Sequence, residues 1–316
     1  MSSSNTSCLA SLDNFEEPTL TNESQPIDST ELRLDAAMQS PNNSQKEIMW
    51  TAFVFIIGAH LIALAGFFTF SWKALAVCIA LHWVTGGLGI TLGFHRLLTH
   101  RSFQTPKWVE YLLSIIGSLA CQGGPLAWVA THRLHHAKSD KPGDPHTPLD
   151  GVFWAHMGWC LYKNKDLDSL EDYNRFAPDL AKDPVHVFLN NYFMIWTVLL
   201  AAGLYAWGGM PFVIWGIFIR LVLVYHVTWF VNSATHVWGY QTYKTGDDST
   251  NLWWVALLSF GEGWHNNHHA FQTSARHGLK WWELDTTYMM IQFLKFCGLA
   301  KDIKLPTAHM LQTKLA

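Results

Sequence analysis

Long uncharged apolar segments alternate with polar ones along this chain and predict helices that cross a membrane. Residues 51–70 and 74–94 contain no charged side chain, and three residues separate them. A helix needs about 20 apolar residues to span a bilayer, so we expect an antiparallel hairpin here. Residues 191–207 and 211–231 predict a second hairpin around Gly208 and Gly209.

The polar segments carry the basic residues. Ten Lys and Arg lie in residues 95–184 and seven in 237–316, whereas the turn at Gly208 and Gly209 has none. Because cytoplasmic segments are enriched in Lys and Arg, we expect both termini and the central region on the cytoplasmic side. The predicted fold is an all-α integral membrane protein with four transmembrane helices in two hairpins and a cytoplasmic helical cap.

Composition supports a membrane protein and divides the chain in two. Of the 316 residues, 49% are hydrophobic, 14% are charged and 17 are Trp, which collects at membrane boundaries. The net charge of −3 and the lack of a basic run give no support for nucleic acid as a partner. Residues 1–46 are polar and acidic, which predicts a disordered tail before one domain at 47–316.

Two histidine clusters share one spacing. "HRLHH" places His132, His135 and His136 at i, i+3 and i+4, and "HNNHH" repeats the pattern with His265, His268 and His269. On a helix these positions share a face, so each triple converges. Adjacent histidines are rotated by about 100° about the helix axis, so the members of a pair are able to reach different ions.

Two further segments add histidines to the same side of the membrane. "HRLLTH" places His95 and His100 five residues apart, so we expect the helix to end near them, and "NSATH" places Asn232 and His236 at i and i+4. One complete predicted hairpin separates the second and third segments, so all nine histidines return to one membrane face. Two ions with four or five ligands each fit this count, and imidazole alone does not select among iron, copper, zinc and nickel.

At these motifs the sequence resembles the integral-membrane fatty-acid desaturases of the Δ9 class, over roughly residues 47–305. The tract "GGLGITLGFHRLLTHRSFQTPKWVEYLL" is most similar to the cyanobacterial and plastid acyl-lipid branch. The resemblance implies two Fe2+ ions, O2 as co-substrate, two external electrons and a cis Δ9 double bond in a saturated acyl chain. It implies no catalytic residue beyond the metal ligands, and it implies the thylakoid or plasma membrane as location.

The resemblance also implies a ligand set for each iron. The first iron would take His95, His100, His136 and His269, with a water held by Asn232. The second would take His132, His135, His236, His265 and His268. Carboxylates usually orient such imidazoles, and Glu262, Asp140 and Asp144 are the candidates near the motifs.

A bent tunnel for the acyl chain is a further implication of the resemblance. Its matching residues are Gln122, Trp128 and Thr228, and Trp83 on the second span would close the tunnel and limit the chain length. No H-P-G-G motif is present, so the resemblance implies an external electron donor, ferredoxin, with cytochrome b5 as the alternative. The tract "QGGPLAW" favours an acyl-lipid over an acyl-CoA substrate.

Three alternatives differ from this interpretation. An acyl-CoA Δ9 desaturase and a related di-iron membrane hydroxylase both keep the histidine motifs, and both stay open. A metal transporter is disfavoured, because ion pathways usually carry carboxylates inside the membrane. The four predicted spans contain no Asp or Glu, and the nine histidines gather at one surface.

Overall fold

A computed structural model describes residues 47–167 and 169–316. The predicted tail at 1–46 lies outside the described residues. Within them the chain is helical without β-strands, and its only β contacts are isolated bridges such as the one between Ile48 and Tyr162.

The first two helices form a hairpin. Helix α1 (Trp50–Ala63) continues into a 3₁₀ turn (Leu64–Phe68), and α2 (Trp72–His82) continues without a break into a π-helix (Trp83–Thr99). The hydroxyl of Ser71 accepts a hydrogen bond from Ala74 N and so caps the start of α2. The turn exposes Phe67 and Phe68, as expected for side chains that face lipid.

Six short helices follow and build the region between the hairpins. They are α3 (Lys107–Ser118), α4 (Pro125–Lys138), α5 (Val152–His156), α6 (Leu170–Phe176), α7 (Pro178–Ala181) and α8 (Pro184–Asn191). Proline stands first in α4, α7 and α8, where its missing N–H costs no hydrogen bond. Asp183 caps α8 by accepting a hydrogen bond from Val185 N.

The second hairpin lies within one continuous helical stretch. Helix α9 (Phe193–Val213) leads through a π turn (Ile214–Ile219) into α10 (Arg220–Ser233), and a 3₁₀ turn (Ala234–His236) ends the stretch. At Gly209 the backbone leaves the helical region, with φ 67° and ψ −160°. The chain reverses there, and the two halves pack together: a Cβ built on Gly216 would lie 2.7 Å from Leu204 Cδ1.

The C-terminal region adds four further helices. They are α11 (Trp253–Leu258), α12 (His265–Ala270), α13 (Thr286–Phe296) and α14 (Ala308–Thr313).

Close packing joins the π-helix to α3. A Cβ on Gly89 would lie 2.8 Å from Gly117 Cα, and a Cβ on Gly117 would lie 2.5 Å from the ring of Phe94. Only glycine permits this approach, so α3 supports the helix that leads to His95.

Three helical stretches are long and apolar enough to cross a membrane: Trp50–Phe68, Trp72–Thr99 and Phe193–His236. The first two stretches cover most of 51–70 and all of 74–94, and the third covers most of 191–207 and all of 211–231. The sequence prediction of long apolar helices is therefore confirmed.

Replacement of Gly209 by valine tests the reversal. A β-branched residue is strained at φ 67°, so we expect Gly209→Val to lower the free energy of unfolding by about 1–3 kcal/mol. The matched control is Gly203→Ala in the same helix, where an added Cβ meets nothing within 4 Å. Thermal unfolding in detergent compares the two, and an unchanged midpoint for Gly209→Val would contradict the strained turn.

Candidate metal centre

Nine imidazoles from four segments converge in two groups. The first histidine group contains His95, His100, His132, His136 and His268. The second histidine group contains His135, His236, His265 and His269. Within each group the ligand atoms lie within 4.8 Å of one another, so each group is able to surround one ion.

Helix periodicity explains how both triples divide between the groups. In α4, His132 and His136 share one face at i and i+4 and belong to the first group, whereas His135 belongs to the second. In α12 the sense is reversed: His265 and His269 belong to the second group and His268 to the first. Each adjacent pair therefore serves both groups, as the sequence predicted.

The two groups are sets of neighbouring nitrogens and do not coincide with the ligand sets that the resemblance implied, which stay a prediction. His132 and His268 lie in the first group instead of the second, and His269 lies in the second instead of the first. The physical reason is that each helix contributes its i, i+4 pair to one group, whereas the expected sets combined the i, i+3 pair.

A π-helical turn brings His95 and His100 together. His100 N donates a hydrogen bond to His95 O, five residues earlier, and the two ring centroids are 4.7 Å apart. The π-helix ends at Thr99, so the expected helix end near these histidines is confirmed. His236 is the last residue of the 3₁₀ turn that ends the second hairpin, and its Nε2 lies 3.0 Å from His265 Nε2.

The three carboxylates suggested by the sequence each contact a histidine of the centre. His95 Nδ1 lies 2.8 Å from Glu262 Oε2. His135 Nδ1 lies 2.9 Å from Asp144 Oδ1, and His236 Nδ1 lies 2.9 Å from Asp140 Oδ2. A carboxylate that accepts the Nδ1–H leaves Nε2 as the free ligand nitrogen and fixes the ring orientation.

Sequence reasoning missed three participants. Asp247 Oδ2 lies 2.7 Å from His269 Nδ1, and His277 Nδ1 lies 2.9 Å from Glu262 Oε2. The ring of His146 packs against that of His135 with centroids 4.3 Å apart. None of the three belongs to a spaced histidine motif, so no sequence signal marked them.

Electrostatics keep four of the imidazoles and one carboxylate in the form that binds a metal. Burial and the neighbouring imidazoles hold the pKa of His132, His136, His265 and His268 well below its ordinary value. Burial raises the pKa of Glu262, but Arg96 and the adjacent histidines outweigh it and hold that pKa well below its usual range. Neutral imidazoles and ionised carboxylates are the states that bind a metal.

The donor set fits two metal ions. His136 Nε2 lies 3.0 Å from His132 Nε2 and 2.9 Å from His268 Nε2, and His95 Nε2 lies 3.2 Å from His268 Nε2. Adjacent ligand nitrogens on one ion have such separations when each metal–nitrogen bond is about 2.1 Å. His135 Nε2, His100 Nε2 and His269 Nε2 are buried without a hydrogen-bond partner, which leaves lone pairs for a cation.

An apolar cavity of about 530 Å³, including its opening to solvent, reaches the centre. His95, His132 and His265 line it together with Asn232. The apolar part of the wall and its glycine are Gly86, Ile90, Val224, Val227, Val231 and Phe260, and Glu262 also lines the cavity. Such a wall suits an apolar chain, which would lie beside the imidazoles.

Three of the four expected tunnel residues come together. Trp128 Nε1 donates to Gln122 Oε1 at 3.1 Å, and Gln122 Nε2 donates to Thr228 Oγ1 at 2.9 Å. Trp128 and Thr228 line the cavity. Trp83 differs from the expectation: it is 45% exposed on the surface of the π-helix, and its neighbour His82 lines the cavity instead.

Asp247→Asn tests the role of the carboxylate that sequence reasoning missed. The amide is a weaker acceptor for His269 Nδ1–H, so we expect the affinity of the centre for Fe2+ to fall by about 10–100-fold. Iron per chain, measured after dialysis against chelators of graded strength, gives the affinity. Asp166→Asn, at an exposed carboxylate in the cap, is the control, and equal iron retention by both variants would contradict the role of Asp247.

Comparison with known proteins agrees with this centre. The family model described as "Fatty acid desaturase" matches residues 70–296. The sn-1 stearoyl-lipid 9-desaturase of Anabaena variabilis is 55% identical over 270 residues, 85% of this chain and 98% of that protein. The enzyme of the same name from Synechocystis sp. is 51% identical over 278 residues, 87% of this chain and 86% of that protein.

A relative whose name gives acyl-CoA, instead of a lipid, as the carrier of the acyl chain is also similar to this chain. The acyl-CoA C20 Delta5-desaturase of Anemone leveillei is 47% identical over 254 residues, 80% of this chain and 81% of that protein. The matched region of the family model contains all nine histidines of the two groups. The chain therefore belongs to the fatty acid desaturase family, and it is a membrane enzyme of that family.

Proposed function

We propose that this desaturase introduces a cis Δ9 double bond into saturated acyl chains that are bound to membrane lipid. The observation that carries the proposal is the apolar cavity whose wall includes His95, His132 and His265. An acyl chain in this cavity has its methylene groups beside the histidine groups. The two relatives of highest identity reported above are named as stearoyl-lipid 9-desaturases, which supports the position and the carrier.

The proposed cofactors are two Fe2+ ions, one in each histidine group, with Asn232 holding a water at the first. Bound iron would supply the oxidation by O2 that removes two hydrogens from an unactivated CH2–CH2 unit, with two external electrons and two protons completing the reduction to water. The residues of this chain hold the rings in place. Asp140, Asp144 and Asp247 accept the Nδ1–H bonds of His236, His135 and His269, and the Glu262 carboxylate lies beside His95 Nδ1.

Gln122, Trp128 and Thr228 position the acyl chain in the proposal. Their side chains form one hydrogen-bonded series across the cavity wall. The series satisfies their polar groups, so they present a fixed shape to the substrate. A fixed bend beside the centre selects which methylene pair lies closest to the ions, and it favours a cis product.

His82 and Phe260 close the far end of the cavity in this proposal, in place of Trp83. Their rings pack with centroids 5.3 Å apart, and both line the cavity. Gly86 lies beside them, and an added Cβ would be 3.1 Å from Phe260 Cε2 and 3.7 Å from His82 Cε1. The size of residue 86 thus sets the room for the end of the acyl chain.

The proposed topology has four spans in two hairpins, with the cap and both termini on the cytoplasmic side of a thylakoid or plasma membrane. The reversal at Gly209 and the basic residues of the cap support it. The proposed electron donor is ferredoxin, with cytochrome b5 as the alternative. Lys301 and Lys304 are exposed basic residues that an acidic donor would be able to contact.

Product analysis tests the proposed reaction. We expect expression in a host that supplies reduced ferredoxin to create cis-9 double bonds in lipid-bound acyl chains, with none formed first in the acyl-CoA pool. Mass spectrometry of derivatised lipids locates the double bond, with separate analysis of each glycerol position and of acyl-CoA. Hydroxylated products, another bond position or products confined to acyl-CoA would refute the proposal.

Matched histidine variants provide the control for this experiment. His268→Ala removes a nitrogen of the first histidine group and should abolish the new double bond. His309→Ala removes an exposed histidine outside both groups and should leave the product unchanged.

Gly86→Leu tests the closed end of the cavity. The added side chain meets Phe260 and His82, so we expect longer acyl chains to be lost from the products before shorter ones. Trp83→Ala is the control, because an exposed Trp83 leaves the chain-length spectrum unaltered. Lipid analysis by gas chromatography measures both, and longer products from Trp83→Ala would restore that residue as the end of the tunnel.

A further inference from the structure

A third cluster of metal-binding side chains lies apart from the two histidine groups. Glu110 on α3, and Asp183 and His186 at the start of α8, place one ligand atom each within 4.8 Å of the others. His186 Nδ1 lies 3.3 Å from Asp183 Oδ2, and His186 Nε2 lies 3.6 Å from Glu110 Oε1. The two carboxylates thus approach the imidazole from two separate helices, one beside each ring nitrogen.

The imidazole of His186 is the unusual member of this cluster. Its side chain has no exposed surface, and its Nδ1 has no hydrogen-bond partner although it faces the Asp183 carboxylate. His186 Nε2 already has the Ser114 hydroxyl at 3.2 Å. A buried ring nitrogen without a partner costs free energy, and a cation between this nitrogen and the carboxylate would remove that cost.

Lys107 now supplies the only positive charge in contact with the two carboxylates among the residues that the structure describes. Its Nζ lies 2.7 Å from Glu110 Oε1 and 3.1 Å from Asp183 Oδ2. The Lys107 side chain is 62% exposed, whereas those of Glu110 and Asp183 are 16% and 13% exposed. An exposed lysine is held weakly, so it is free to leave these oxygens to another cation.

The protonation states suit a metal ion. Burial raises the pKa of Asp183, but the hydrogen bonds from Lys107 and Tyr111 outweigh it and lower that pKa to about 2. Burial also lowers the pKa of His186 below its ordinary value. An ionised Asp183 carboxylate and a neutral His186 imidazole are the forms that bind a metal.

We propose that Glu110, Asp183 and His186 form a structural divalent-cation site, separate from the two histidine groups, with Zn2+ as its preferred ion. One imidazole nitrogen and two carboxylate oxygens are a donor set that zinc accepts, and a water completes the coordination. The ion takes the place of the Lys107 ammonium. Harder ions such as Mg2+ bind less well, because imidazole is not their preferred ligand.

The site joins the supports of two histidine segments. Helix α3 packs against the π-helix that ends beside His95, through the contact of Gly117 with Gly89. Helix α8 holds the start of α4 because Asn190 Oδ1 accepts a hydrogen bond from Ala127 N at 3.1 Å. An ion between α3 and α8 therefore stabilises both helices against which His95 and His132 are positioned.

Zinc titration of the iron-loaded, full-length protein tests the proposal. We expect one Zn2+ per chain to bind without loss of iron, both measured by elemental analysis, and the thermal midpoint to rise. His186→Ala and Glu110→Gln should each lower the affinity for this zinc ion by about tenfold or more. Glu110→Gln keeps the shape of the side chain, so it separates loss of a ligand from damage to the fold.

Lys107→Met provides the opposite test. Removal of the competing ammonium should tighten zinc binding, whereas Lys182→Met, next to Asp183 in the chain but outside the cluster, should leave it unchanged. Any of three results would overturn the site. Zinc would bind the wild-type protein and both ligand variants equally, or it would bind only as iron is lost. The third result is an equal effect of the two lysine variants.

Discussion

Four buried carboxylates orient the imidazoles, and the loops around the centre are folded so that these carboxylates stay ionised. An ionised carboxylate inside a protein is costly unless it is paired and hydrogen-bonded. Glu262 has buried Arg96 within 3.1 Å. Asp140 accepts Asp248 N at 2.8 Å, and Asp144 accepts Asp140 N at 2.9 Å. Each carboxylate therefore fixes a ring and a loop together, so metal binding and folding of the cap are coupled.

Helix geometry then divides the rings between two groups. The spacing i, i+3, i+4 occurs in α4 and in α12, but the two helices divide it in opposite ways. Of the α4 triple only His135 belongs to the second group, and of the α12 triple only His268 belongs to the first. Two helices that approach one site from different directions produce this exchange, so each group takes nitrogens from both. Loss of one helix would therefore remove histidines from both groups.

Much of this arrangement could be predicted from local sequence. Apolar length predicted the spanning helices, and one hairpin between motifs predicted that nine histidines meet. The assignment of His132, His268 and His269 could not be predicted, because it depends on how α4 and α12 approach each other. Asp247 was missed because its contact with His269 spans 22 residues and no pattern marks it. The π winding from Trp83 to Thr99 changed which side chains face the cavity, so His82 lines it and Trp83 does not.

One of the stretches long enough to cross a membrane also contributes residues to the metal centre and to the cavity. The stretch Trp72–Thr99 bears His82 at one end of the cavity and His95 at the other, with Ile90 and Thr91 along the wall between them. Because Gly89 packs directly on Gly117, this stretch is held against α3 without intervening side chains. The distance from the far end of the cavity to the first histidine group is thus fixed by one supported element. A flexible apolar chain would therefore have a defined position relative to the centre, because part of the cavity wall and His95 belong to one helical stretch.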